Sequence, residues 1–185
     1  MQLAHRLDSS YAWTRLAVTL AIATVANVGM WAVIVVMPAL EAEFQADRAT
    51  ASMPYTLTMV GFALGNLLIG RLVDRFGITI ALIAAALLSA ASYGLAMLAP
   101  DMVWLSAAHL LLGLGTAAGF GPLIADISHW FQRRRGIAVA LVASGNYLSG
   151  AIWPTALADM LADSGWRSVY ATLALVTLVT VIPLS

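Results

Sequence analysis

The sequence predicts an all-α, polytopic membrane protein with six transmembrane helices. Three observations carry this. Hydrophobic residues make up 62% of the 185 and charged ones only 10%, against about 25% charged in an ordinary soluble domain. The apolar residues gather into runs long enough to cross a bilayer as helices, which takes about 20 residues. Charged residues lie in short islands between those runs. The clearest island is residues 70–77, G-R-L-V-D-R-F-G, whose two Arg and one Asp would be costly in hydrocarbon and so mark a turn in water or headgroups.

Composition also narrows the function. Nine basic residues, all arginine, balance nine acidic ones, and a net charge of zero argues against nucleic acid as a partner. Without cysteine there are no disulfides and no thiolate metal sites. Neither a metal nor a cofactor is expected, no ATP-hydrolysing motif is present, and no stretch offers a soluble domain.

In chain order, residues 1–13 form a polar arm with His5, Arg6 and Asp8, ahead of a bundle over residues 14–185. Arg15 sits just inside the first apolar run, where its stem can snorkel to the interface. That run, residues 16–40, is too long for a signal peptide and lacks a small-residue cleavage site, so it is the first span. Pro38 marks where it bends or stops. Glu41, Glu43, Asp47 and Arg48 form an acidic loop. The second span covers residues 53–69, with Pro54 in its first turn, where a missing N–H is harmless. Gly61 and Gly65 give it a small-residue face for close helix contact.

After the island, the third span covers residues 78–98. Pro100 and Asp101 lead into the fourth, residues 102–127, which carries Gly113, Gly115, Gly119 and Gly121 and is expected to kink at Pro122. H-W-F-Q-R-R-R-G follows as the most basic stretch. The fifth span, residues 137–160, contains Gly145, Gly150 and Pro154. Asp159, Asp163 and Arg167 bracket a loop before the sixth, residues 166–184.

Arginine placement sets the expected topology. With the N-terminus cytoplasmic, Arg6, Arg15, Arg71, Arg75, Arg133, Arg134 and Arg135 lie inside and only Arg48 and Arg167 outside, a strong positive-inside bias over short loops. Both termini are then cytoplasmic. A faint echo links Leu72-Val73-Asp74-Arg75-Phe76-Gly77 after span two to Leu161-Ala162-Asp163-Ser164-Gly165 after span five. Read as a repeat rather than chance, it makes two inverted three-helix units, a common transporter plan.

The island resembles the signature of the major facilitator superfamily between helices two and three. Gly70, Leu72, Asp74, Arg75 and Gly77 match, while the family's closing basic pair is replaced by Ile78 and Thr79. Pro38 and the acidic loop with Phe44 resemble the end of a first helix in that family. His109, followed by Gly113 and Gly115, stands where many members carry Arg followed four residues later by Gly. G-P-L-I-A-D-I-S-H-W-F-Q-R-R-R-G-I-A-V-A, S-G-N-Y-L-S-G-A-I-W-P and the later G-W-R resemble the monocarboxylate and oxalate/formate-like branches. The Gly-Pro motif of antiporters is absent, because Asn146 follows Gly145. The resemblance spans nearly the whole chain but only one half of the usual twelve-helix architecture. It implies the N-terminal six-helix half of a secondary transporter of small organic anions, working by alternating access in a bacterial inner (plasma) membrane. A second six-helix half or a homodimer partner completes the cavity.

Each candidate residue has a functional and a structural reading. Gly70, Asp74, Arg75 and Gly77 form either a gating turn whose ion pairs break as the halves rock, or a turn that merely joins two spans. Asp126, with Arg133 and Arg134 beyond it, is expected in a salt bridge fixing the turn between spans four and five, or in attracting substrate, with Arg135 extending a run that attracts anionic lipid. His109 is an ionisable group among apolar neighbours, and such groups usually face a cavity or a partner. With an unperturbed pKa of about 6.5 it suits proton symport or anion binding; the other reading is a neutral imidazole bonded to a backbone carbonyl or a neighbouring helix. Asn27 and Trp31 share a face at i, i+4, and Asn146, Tyr147 and Trp153 form a second polar and aromatic set. These orient a small carboxylate, or they join helices by hydrogen bonds of about 0.6 kcal/mol each.

Two rival classes remain beside transport. An intramembrane protease would want Gly-any-Ser-Gly, where this chain has Val142-Ala143-Ser144-Gly145 and its His109 upstream. The other rival is a non-transporting membrane partner or remnant. No enzyme activity is expected.

Overall fold

The computed structural model describes residues 7–185, so the readings placed on His5 and Arg6 lie outside the described residues. Among the described residues all regular structure is helical: α1 (Ser10–Ala26), α2 (Val28–Phe44), α3 (Arg48–Phe76), α4 (Ile78–Met97), α5 (Met102–Thr116), a 3-10 turn (Ala117–Gly119), α6 (Gly121–Ser128) and α7 (Arg135–Leu184). With α1 and α2 taken together, and likewise α5 and α6, five helical stretches are long and apolar enough to cross a membrane. The fifth, α7, has 50 residues and is broken at Gly165, whose φ is 78°. The chain reverses direction there, so both arms reach each end of the bundle. Ala138, Val142 and Val181 share one apolar cluster, and Leu157, Trp166 and Tyr170 share the other. The all-α bundle therefore comprises six helical arms.

Several boundaries differ from expectation, because apolar runs mark hydrocarbon whereas helical hydrogen bonding continues beyond it. The first span is two helices that meet at Asn27, and it starts at Ser10, inside the expected polar arm. Ser9 caps it, accepting the Ala12 N–H. The second span begins at Arg48, where the Asp47 carboxylate caps Thr50 N–H at 2.8 Å. Pro54 consequently lies in its second turn. The island at residues 70–77 is helix through Phe76, and the turn is Gly77 alone, at φ 84° and ψ 167°. The loop expected around Asp163 is likewise reduced to Gly165, at φ 78° and ψ 170°. Residues with a Cβ rarely adopt such angles. The two echoing segments thus end on glycines in the same backbone conformation, as a repeat requires.

The core consists of two apolar clusters separated by a polar waist. One, at the acidic end, takes in Val36, Leu40, Tyr93, Leu105, Trp166 and Leu173. The other, at the arginine-rich end, takes in Leu16, Ile22, Leu82, Leu123, Phe131 and Val142. Between them each span contributes small or polar groups, including the buried Asn27, Ser89, Thr116, Ser149 and Thr177. The helices touch most closely where α3 crosses α5. A Cβ on Gly61 would run into the Leu110 carbonyl oxygen, one on Gly113 into the Thr58 carbonyl oxygen, and one on Gly65 would stand 2.6 Å from the Leu114 carbonyl oxygen.

Candidate functional site

At the waist, two interrupted helices touch. Asparagine's short amide competes with helical hydrogen bonding, and here the Asn27 side chain donates to Ala23 O at 2.7 Å and Gly119 O at 2.9 Å. The opposing break, at Phe120 (φ −126°, ψ −87°), precedes Pro122. Proline lacks an N–H and clashes with the carbonyl four residues back, which explains the expected kink and its position two residues early. A Cβ on Gly119 would stand 2.6 Å from that of Ala26, so the strands of backbone meet directly. Asn27 is fully buried, and its Oδ1 has no partner.

The interruption turns Asn27 and Trp31 to different neighbours. The Trp31 indole N–H donates to Asn146 at both the backbone carbonyl (3.1 Å) and Oδ1 (3.3 Å). Two residue sets that look separate in the sequence are therefore one contact between α2 and α7. Trp153 donates to Thr24 O at 3.0 Å, reaching a carbonyl in the last turn of α1. Tyr147, 72% exposed, faces outward beside them.

His109 stands elsewhere, fully buried between three helices. Its Nδ1 lies 3.0 Å from Thr58 Oγ1, and its Nε2 lies 2.8 Å from the Tyr170 hydroxyl. Thr58 spends its own hydroxyl hydrogen on Pro54 O at 2.8 Å. Thr58 Oγ1 must then accept from Nδ1–H, which leaves Nε2 to accept from Tyr170 O–H. This neutral, fully partnered imidazole fits the second of its two readings. Thr58 and Tyr170 carry no sequence signal that would single them out.

At the arginine-rich end, Asp126 does not pair with Arg133 or Arg134. Arg15 reaches it from α1, with Nε at 3.1 Å and Nη2 at 2.8 Å of Oδ2, and stacks over Trp130 at 4.8 Å. Arg133, Arg134 and Arg135 follow a turn that leaves them exposed. The loop's backbone N–H groups converge instead on Asp8: Arg133 at 3.0 Å, Gln132 at 3.2 Å and Arg134 at 3.3 Å. These bonds, that from Arg133 first, hold the Asp8 carboxyl below its usual range against a smaller desolvation effect. Asp74 and Arg75 are exposed. Asp74 lines a shallow pocket of about 170 Å³ with Asn66, Gly70, Gly121 and Pro122, and has no ion-pair partner among the described residues.

The acidic end has a clamp that sequence reasoning passed over as loop charge. Glu43 accepts from the Trp166 indole at 2.6 Å and pairs with Arg167 at 2.7 Å, while Arg167 lies over Trp166 at 4.1 Å. The Trp166 bond and then Arg167 hold the Glu43 carboxyl below its ordinary 4.5, against desolvation. A carboxyl lowered on folding contributes stability that is complete above the unfolded pKa and is lost as pH falls through the folded one. Melting in detergent should therefore show a shallower loss between about pH 5 and pH 3 for Glu43→Gln than for the wild type. Identical acid limbs would remove Glu43 from the account.

Comparison with known proteins matches the Major Facilitator Superfamily profile to residues 19–185. The MFS-type transporter pytF of Aspergillus terreus is 33% identical over 122 residues, covering 64% of this chain and 41% of that protein. Human monocarboxylate transporter 11 is 41% identical over 76 residues, covering 38% of this chain and 16% of the transporter. Human monocarboxylate transporter 6 is 28% identical over 171 residues, covering 91% of this chain and 34% of the transporter. The chain thus spans well under half the length of these relatives. Their family is one of transporters, not of enzymes. On its fold, its signature turn and this match along nearly its whole length, the chain is an integral membrane protein and belongs to the Major Facilitator Superfamily.

Proposed function

We propose that the chain forms one six-span half of a secondary transporter for a small organic anion of monocarboxylate type, working by alternating access. The observation that carries this is the waist, where interrupted helices meet beside a wall made by Trp31, Asn146 and Tyr147. Transporters commonly bind substrate at mid-membrane against interrupted helices. Relatives named monocarboxylate transporters support the substrate class. A second six-span half or a second copy of this chain supplies the facing wall. Gly70, Asp74, Arg75 and Gly77 gate the arginine-rich end against that partner, and this end is cytoplasmic in a bacterial inner membrane. A proton is the co-substrate. His109 loads it in a state where the Tyr170 hydroxyl has left Nε2.

The test is uptake by the native-length gene product in proteoliposomes, after its intact mass has shown whether a second half is present. Saturable pyruvate uptake that rises when the outside is acidified is the expected result. No uptake of pyruvate, formate or oxalate, with the folded protein verified in the vesicles, would sink the proposal.

A further inference from the structure

We propose that Trp31 is a positioning residue: it fixes the Asn146 amide so that both side-chain N–H groups face the open side of the bundle and receive a carboxylate oxygen of the substrate. This rests on the transport reading above. An indole N–H can only donate, and both of its contacts on Asn146 are with oxygen, the backbone carbonyl at 3.1 Å and Oδ1 at 3.3 Å. Flipping the amide would set Nδ2 against Nε1, donor against donor. The orientation is therefore decided by chemistry.

The indole itself has no room to swing. It lies on Gly150, where a Cβ would stand 2.8–2.9 Å from Cε2, Cδ2 and Cζ2 of the ring. Around it α7 is held to α1 by Gly145, whose Cβ would stand 2.7 Å from that of Ala23, and by the Trp153 bond to Thr24 O at 3.0 Å. The Asn146 Nδ2 has no partner among the described residues. The residue is only half-buried, and the next residue, Tyr147, is exposed.

Charge placement gives the amide its importance. Every arginine from Arg15 to Arg167 lies near an end of the bundle, and the chain has no lysine. At mid-depth this half can recognise an anion only through neutral donors, and the fixed Asn146 amide offers N–H groups that have no partner among the described residues, beside an open face. The ligand it suits is a small carboxylate whose compensating charge comes from the facing half or from a proton.

The variants separate orientation from folding. Asn146→Asp keeps an acceptor for the Trp31 N–H but removes both donors and adds a negative charge. It should fold and melt like the wild type yet lose pyruvate uptake in proteoliposomes. Trp31→Phe keeps the ring on Gly150 and loses the N–H, so the amide is free to flip. Its KM should rise about tenfold with little change in maximal rate, the equivalent of one lost hydrogen bond. Trp104→Phe removes an indole N–H bond to Leu95 O at the acidic end, away from this contact, and should leave KM unchanged. A wild-type KM in Trp31→Phe, or retained uptake in Asn146→Asp, overturns the inference while leaving the transport reading intact. Absence of uptake in the wild type overturns both.

Discussion

Gly61→Ala is expected to prevent the bundle from assembling. The new methyl would run into the Leu110 carbonyl oxygen and lie 3.1 Å from the Gly113 Cα, both of them backbone atoms in the middle of α5. Overpacking against movable side chains costs about 1–3 kcal/mol. Here the obstacle is a helix backbone, and relief requires α3 and α5 to move apart along their whole crossing. That movement would also break the reciprocal seat of Gly113 against Thr58 O and Phe62 N and part Thr58 from His109. The loss should exceed the usual overpacking range and leave no monodisperse species in detergent. Gly94→Ala is the control, because nothing lies within 4 Å of its added methyl, and removing a helix-interior glycine is worth about 1 kcal/mol. Comparable melting of the two variants would mean that the α3–α5 crossing is looser than described.

The second large effect is expected at His109. Hydrogen bonds between membrane helices average about 0.6 kcal/mol, because unfolded helices in the bilayer find other partners. Removing one partner from a sealed interior is a different case, costing about 1–3 kcal/mol for each orphaned group. In His109→Leu the Tyr170 hydroxyl loses its acceptor in a fully buried position, so the larger figure applies, and the polar tie among α3, α5 and α7 is gone. Thermal melting in detergent should register it. His109→Gln is the informative companion. Its amide can donate to Thr58 Oγ1 and accept from Tyr170 O–H, so the fold should survive. If His109 carries the coupled proton, uptake by this variant loses its pH dependence. An unchanged pH profile would leave His109 as an interhelical tie only.

The sequence made the spans legible because hydrocarbon thickness imposes their length and charge marks their ends. It did not reveal where the helices stop, since hydrogen bonding takes α3 from Arg48 to Phe76, well past both interfaces. The interruption at Asn27 was hidden for another reason. Its local bond, from the Asn27 amide to Ala23 O, does not by itself interrupt a helix, and the residue that completes the break, Gly119, lies 92 positions away. Asp126 shows how sequence proximity misleads. Three arginines follow it closely, yet the turn exposes them, and a single arginine 111 positions away makes the bond. Trp31 and Asn146 were each visible as polar or aromatic anomalies in an apolar run. Their pairing depends on Gly150, whose missing side chain shows as a slot only once α7 lies against α2.

Gly77 and Gly165 each join two long helices with one residue of backbone. Such a joint has no slack. Any tilt of α3 must be transmitted to α4 within a single pair of dihedral angles, and the two arms of α7 are tied in the same way. In engineering terms these are knuckles rather than tethers, so a reporter sequence inserted at either would uncouple the rods. The segment around residues 45–47, which does have spare length and is largely exposed, is where an epitope or fluorophore can be accommodated while the lever system stays whole.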